Sequence, residues 1–128
     1  MTYRTEVLVR FCHCDPAGIV FYPRYVEIFH NIMEDWCRDV LHLPLADLMS
    51  VRHWGLPAVH LNLDFFAPSF LGEILAASLD VARLGKTSIT LDIALQDRVR
   101  GQLVIVLVDL ESRKPIVIPD VLREILSE

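Results

Sequence analysis

The feature that most constrains this chain is one long helical stretch set among strands. Between Pro23 and about Leu41, apolar residues recur at three- and four-residue steps: Tyr25, Phe29, Ile32, Met33, Trp36, Cys37 and Val40. That is the spacing of one helix face. Val26 and Ile28 widen the stripe, so the helix is expected to be buried on more than one side. Pro23 suits a first helical turn, where its missing N–H is not needed. About 18 residues of helix span ~27 Å. In a chain of 128 residues, whose compact radius of gyration is about 14 Å, such a helix is the central element and something must wrap round it.

The flanking sequence has a period of two. Thr5 to Phe11 alternates Val7, Val9 and Phe11 against Glu6, Leu8 and Arg10. After a loop from His42 to Gly55, three further runs alternate: Val59 to Phe65, Leu75 to Val81, and Ile89 to Leu95. Leu103 to Val108 is apolar throughout and reads as a strand buried on both faces. Turn residues separate the runs at Pro68–Gly72, Gly85-Lys86 and Asp97–Gly101. Pro115 and Pro119 bracket a short last strand, and Asp120 is placed to cap a terminal helical turn. Strand, long helix, then four strands with hairpin spacing implies an α+β fold: one domain over residues 1–128, about five antiparallel strands around one helix.

Hydrophobic residues make up 53% of the chain and charged residues 23%, which excludes intrinsic disorder. So apolar a small chain leaves surface for self-association, and an uncovered sheet edge points the same way. The net charge of −5 disfavours nucleic acid. The longest clean apolar run, Leu103 to Val108, is far short of the ~20 residues of a membrane span. The N-terminus lacks the apolar core of a signal peptide. Three cysteines, Cys12, Cys14 and Cys37, form no even disulfide set and suit a reducing cytoplasm.

Few motifs carry chemistry. Cys12-His13-Cys14 lacks the second ligand pair of a zinc site, so no metal is expected. No nucleophile elbow, phosphate loop or dinucleotide fingerprint is present. Asp15 remains. Asp followed by Pro is a common capping pair. Yet Asp15 ends an apolar strand and precedes Gly18-Ile19-Val20-Phe21-Tyr22, which lead into the central helix. A carboxylate there faces a helix N-terminus whose N–H groups can polarise a carbonyl. It can attack an acyl carbon or take a proton from water.

The segment Phe11-Cys12-His13-Cys14-Asp15-Pro16-Ala17-Gly18-Ile19-Val20-Phe21-Tyr22-Pro23, with Tyr25 two residues on, closely resembles the active-site segment of the 4-hydroxybenzoyl-CoA thioesterase family. That family has the hotdog fold. Gly55–His60 and Lys114–Pro119 resemble its second and last strands. The resemblance implies an acyl-CoA thioesterase, a hydrolase that needs no cofactor beyond the CoA of its own substrate. The acyl group is expected to be aromatic, of hydroxybenzoyl type. Asp15 matches the catalytic carboxylate, and the backbone N–H of Tyr22 matches the group that polarises the thioester carbonyl. Many broader members carry His at position 22; Tyr lies nearer the aroyl-CoA branch. Gly18 matches a close backbone approach, and Tyr25, Phe29, His30 and His60 match the acyl pocket. The family binds CoA at subunit interfaces, with phosphates near hairpin ends, which implicates Arg83 and Lys86 and implies a homodimer or homotetramer. Positions 13 and 30 are His where the hydroxybenzoyl pattern has an acid. Two other readings remain: a non-catalytic acyl-CoA-binding hotdog protein, and a 3-hydroxyacyl thioester dehydratase.

Overall fold

A computed structural model describes residues 2–127. In chain order it contains β1 (Tyr3–Leu8), a 3-10 turn (Phe11–His13), α1 (Arg24–Asp39), α2 (Leu45–Ser50), β2 (Trp54–Gly55), β3 (Ala58–Phe65), β4 (Ile74–Leu84), β5 (Ser88–Leu95), β6 (Val99–Val106), β7 (Val108–Asp109) and α3 (Asp120–Leu126). Five strands form one antiparallel sheet in the order β1-β4-β5-β6-β3; β2 and β7 pair separately. This is the α+β arrangement of five strands and one long helix expected from the periods.

Alternation puts Leu75, Ala77 and Leu79 of β4, Leu91, Ile93 and Leu95 of β5, and Leu103 and Ile105 of β6 on one sheet face. There they bury against Ile28, Phe29, Ile32, Met33, Trp36 and Cys37 of α1. Each such large side chain contributes roughly 1.5–3 kcal/mol by leaving water. Asp80 and Asp92, opposite one another on β4 and β5, belong to the other sheet face.

Several expectations are corrected. Within one chain α1 is covered on one side only: Val26, Glu27, His30, Asn31 and Glu34 are exposed, because a single sheet cannot surround it. In β6 and beyond, Leu103, Ile105 and Leu107 are buried, but Val104, Val106 and Val108 are only half-buried, since no second layer covers the outer face. The 42–55 stretch is not all loop: α2 lies within it and buries Leu48. At six residues it is too short to show a period. β1 ends at Leu8, because the Arg10 N–H turns to His13 Nδ1 (2.9 Å); Phe11, expected inside, is 84% exposed. Between Pro115 and Pro119 there is only an isolated bridge, Val108–Pro115. Proline supplies no ladder N–H. Pro119, not Asp120, occupies the N-cap of α3.

One connection matters for the site. β3 and β4 are not neighbours, so residues 66–73 must pass the end of β6 and β5 to join them. That path carries them past the β5–β6 turn on one side and the 15–20 loop on the other.

Candidate active site

The loop between the 3-10 turn and α1 folds back on itself. Phe21 N–H donates to His13 O (2.9 Å), and Asp15 N–H to Ile19 O (2.9 Å). At the tip, Gly18 N–H donates to Asp15 O (3.0 Å), closing a four-residue turn. Asp first, Pro second and Gly fourth are the preferences of such a turn. Gly18 has φ +78°, which favours glycine, and a Cβ there would meet no atom within 4 Å. Asp15 is half-buried. Its Oδ1 accepts the Ala17 N–H at 2.9 Å, a side-chain turn rather than a helix cap. Its Oδ2 has no hydrogen-bond partner among the described residues.

Tyr22 follows directly. Pro23 has no N–H, and the next three N–H groups turn back: Arg24 to Phe21 O (2.8 Å), Tyr25 to Tyr22 O (3.2 Å) and Val26 to Pro23 O (3.1 Å). The Tyr22 N–H is left without a partner among the described residues. The several free donors expected at this helix end therefore reduce to one, which sits at the positive end of α1. Beside it, Phe21 and Tyr22 are exposed and meet edge to face at 5.4 Å. His13 is half-buried, which lowers its pKa against the opposing pull of Glu27; Arg10 and Arg24 lower it further.

The loop is held from outside. Ile19 bridges to Phe70, Val20 N–H donates to Ser69 O (2.9 Å), and Leu71 N–H donates to Gly18 O (2.9 Å). Ser69 is fully buried and accepts the Tyr25 hydroxyl at 2.9 Å. Tyr25 is thus a buried strut whose hydroxyl is already engaged; its ring lies 5.7 Å from Phe65.

The other expected residues separate. Phe29 and His30 line a cavity of about 120 Å³ with Val26, Met33, Leu61 and Leu103. His30 Nε2 lies 3.2 Å from Glu34 Oε1. His60 instead points with Asn62 to the other side of β3, 3.4 Å from its amide. Arg83 and Lys86 are exposed at the β4–β5 turn. β4 runs from Ile74, beside the 66–73 connection, to Leu84, about 30 Å at the usual rise. One chain therefore does not bring Arg83 and Lys86 to its own Asp15. Arg123, which the sequence reading missed, donates to Gly85 O (2.9 Å) at that same turn. Asp15 lines neither the 120 Å³ cavity nor a larger one of about 430 Å³ beside Tyr3, Trp36 and Asp80.

Among the described residues, no group of three or more His, Cys, Asp or Glu is gathered to hold a metal ion, and no helix is long and apolar enough to cross a membrane.

Comparison with known proteins identifies relatives. A model of the thioesterase-like superfamily matches residues 9–126. A 1,4-dihydroxy-2-naphthoyl-CoA hydrolase from Synechocystis is 33% identical over 82 residues, 64% of this chain and 59% of that protein's length. One from Nostoc punctiforme is 28% identical over 124 residues, 94% of this chain and 83% of the relative. The crystal structure of a 1,4-dihydroxy-2-naphthoyl-CoA thioesterase from Synechocystis superposes with a TM-score of 0.88 at 27% identity, covering 100% of this chain and 97% of the other.

Proposed function

The chain belongs to the thioesterase-like superfamily and has its hotdog fold, and from that premise we propose that it is an acyl-CoA thioesterase acting on an aromatic acyl group. The observation that carries this reading is the 13–22 loop. Among the described residues it presents a half-buried carboxylate with one free oxygen and, at the start of α1, one backbone N–H with no partner.

The thioester carbonyl oxygen accepts the Tyr22 N–H, and the α1 dipole favours the negative charge that grows there. Asp15 then acts through Oδ2, either by taking a proton from water as it attacks or by attacking the acyl carbon itself. Either route consumes one water and yields the free acid and CoA. No metal, redox or other cofactor is required. The names of the relatives favour a fused-ring aroyl group such as 1,4-dihydroxy-2-naphthoyl over the hydroxybenzoyl type. The apolar cavity along Phe29 and Met33 suits a flat ring, with His30 as its polar contact.

A second copy completes the site. β3 is a sheet edge, with Val59 61% and Phe65 52% exposed. Antiparallel pairing of two β3 edges puts the Phe65 end of one against the Ala58 end of the other. The partner's β4–β5 turn then comes to the Asp15 end, and with it the cations for CoA phosphates. A tetramer is two such dimers. The three cysteines are free thiols, in keeping with a cytoplasmic enzyme.

The Asp15 Oδ1 bond to Ala17 favours one other reading, in which the carboxylate only shapes a turn and the protein binds acyl-CoA without cleaving it. Thiol release from 1,4-dihydroxy-2-naphthoyl-CoA and benzoyl-CoA separates the two. Asp15→Asn is expected to lower release about 10³-fold with ligand affinity retained. Equal release by both proteins would overturn the thioesterase reading.

A further inference from the structure

One half-buried ion pair fastens the loop rather than a ligand. Arg98 stands in the β5–β6 turn with its side chain 16% exposed. It grips Glu73 with both arms, Nη1 to Oε1 and Nη2 to Oε2, each at 2.8 Å. Nη1 also donates to Pro68 O at 2.9 Å, and Nε reaches Asp97 Oδ1 at 3.2 Å. Glu73 Oε1 accepts the Phe70 N–H at 2.7 Å, and Phe66 N–H donates to Arg98 O at 2.8 Å. The start of the 66–73 connection is thus held by the Arg98 main-chain carbonyl, and its middle and far end by the Arg98 guanidinium and the Glu73 carboxylate. A two-armed arginine fork restrains both distance and orientation, which a lysine cannot do.

The clamped segment carries the catalytic loop. Ser69, Phe70 and Leu71 bond Val20, Ile19 and Gly18, and Ser69 holds Tyr25 in the first turn of α1. Asp15 lies three residues before Gly18, and Tyr22 two after Val20. We propose that Arg98, together with Glu73, is a positioning residue for thioester hydrolysis. It fixes the 66–73 connection, and through it the relative placement of Asp15 and the Tyr22 N–H. The proposal rests on the catalytic reading of Asp15 given above. The Arg98 guanidinium, with the Phe70 N–H, holds the Glu73 carboxyl down to about 2, so the clamp stays ionised in any ordinary assay.

Arg98→Lys and Glu73→Gln test it. Each keeps a polar chain in place while removing the paired fork. Displacements near 1 Å can cost about 10²-fold in rate; we expect kcat to fall 10- to 100-fold with KM within about threefold of wild type. Amide exchange is the second readout. The Val20 and Leu71 amides should exchange faster, while those of β4 and β5 keep their protection. Unchanged kcat in either folded variant, or unchanged exchange at Val20 and Leu71, overturns the positioning role. So does a loss of kcat matched by an equal loss of protection throughout the sheet, which marks a general stability effect. Asp15→Asn is run alongside. Full activity there sinks the catalytic reading and this proposal together; an inactive Asp15→Asn with fully active Arg98→Lys and Glu73→Gln sinks this proposal alone.

Discussion

The two ends of helix α1 are built from the same apolar stripe but finished differently. At the C-terminal end the chain satisfies itself. Val40 N–H returns to Trp36 O (2.8 Å) and Leu43 N–H to Cys37 O (3.0 Å). Arg38 pairs with Asp39 (2.7 Å) and Asp35 (3.3 Å), and the Tyr3 hydroxyl donates to Asp39 at 2.7 Å. Trp36 and Cys37 are buried. At the N-terminal end one N–H and one carboxylate oxygen lack partners among the described residues, and Phe21 and Tyr22 stand exposed. Tyr22 is exposed, so its N–H stays open to water or to a ligand at little cost. The closed end makes the fold stable; the open end is where a ligand can do work.

The largest effect expected follows from that division. Asp15→Asn should abolish most thiol release while leaving the melting temperature nearly unchanged. Trp36→Ala should do the reverse. Truncating a buried Trp typically costs about 3–5 kcal/mol, yet the remaining folded enzyme should keep its kcat. Chemical denaturation with kinetics below the transition measures both. A folded Trp36→Ala protein with the activity of Asp15→Asn would break the comparison.

Thiol reactivity sharpens it next. Cys12 is exposed beside the open end, whereas burial pushes the Cys37 thiol up to about 12, with Glu34 adding to it. A thiol reagent at pH 8 should modify Cys12 quickly and reach Cys37 only on unfolding. Tyr25→Phe comes third. It orphans the Ser69 hydroxyl in a fully buried place, at a cost of about 1–3 kcal/mol, measurable as a lower denaturation midpoint.

The open end was the more legible of the two. Asp15-Pro16-Ala17-Gly18 carries its turn in its composition, and Tyr22-Pro23 marks where the helix begins, so both groups of the proposed site fall in one readable segment. The period of α1 also announced the central element. What escaped depends on how distant segments meet. Ser69 is an unremarked loop serine until the β3–β4 crossing brings it under Tyr25. Arg98 and Glu73 lie 25 residues apart and pair only because that crossing passes the β5–β6 turn. The double-sided burial read for α1 and for Leu103–Val108 failed for one physical reason. Apolarity reports that a face will be covered, not that the same chain covers it.

The smallest effect concerns the closed end in acid. Arg38, then the Tyr3 hydroxyl, hold the Asp39 carboxyl from an ordinary 3.8 down to about 2. A carboxyl depressed in the folded state adds stability that is present above its unfolded pKa and lost as pH falls through the folded one. The contribution should therefore be full above about pH 4 and gone near pH 2. Asp39 is 41% exposed, so solvent screens the pair, and as a carboxylate at a helix C-terminus it also opposes the dipole. Both reduce its worth. Melting of wild type and Asp39→Asn against pH should show a gap of about 2 °C or less above pH 4 that closes towards pH 2. Because the pair touches nothing at the open end, kcat of Asp39→Asn should match wild type at every pH where both are folded. A shifted activity profile would mean that the two ends of α1 are not independent.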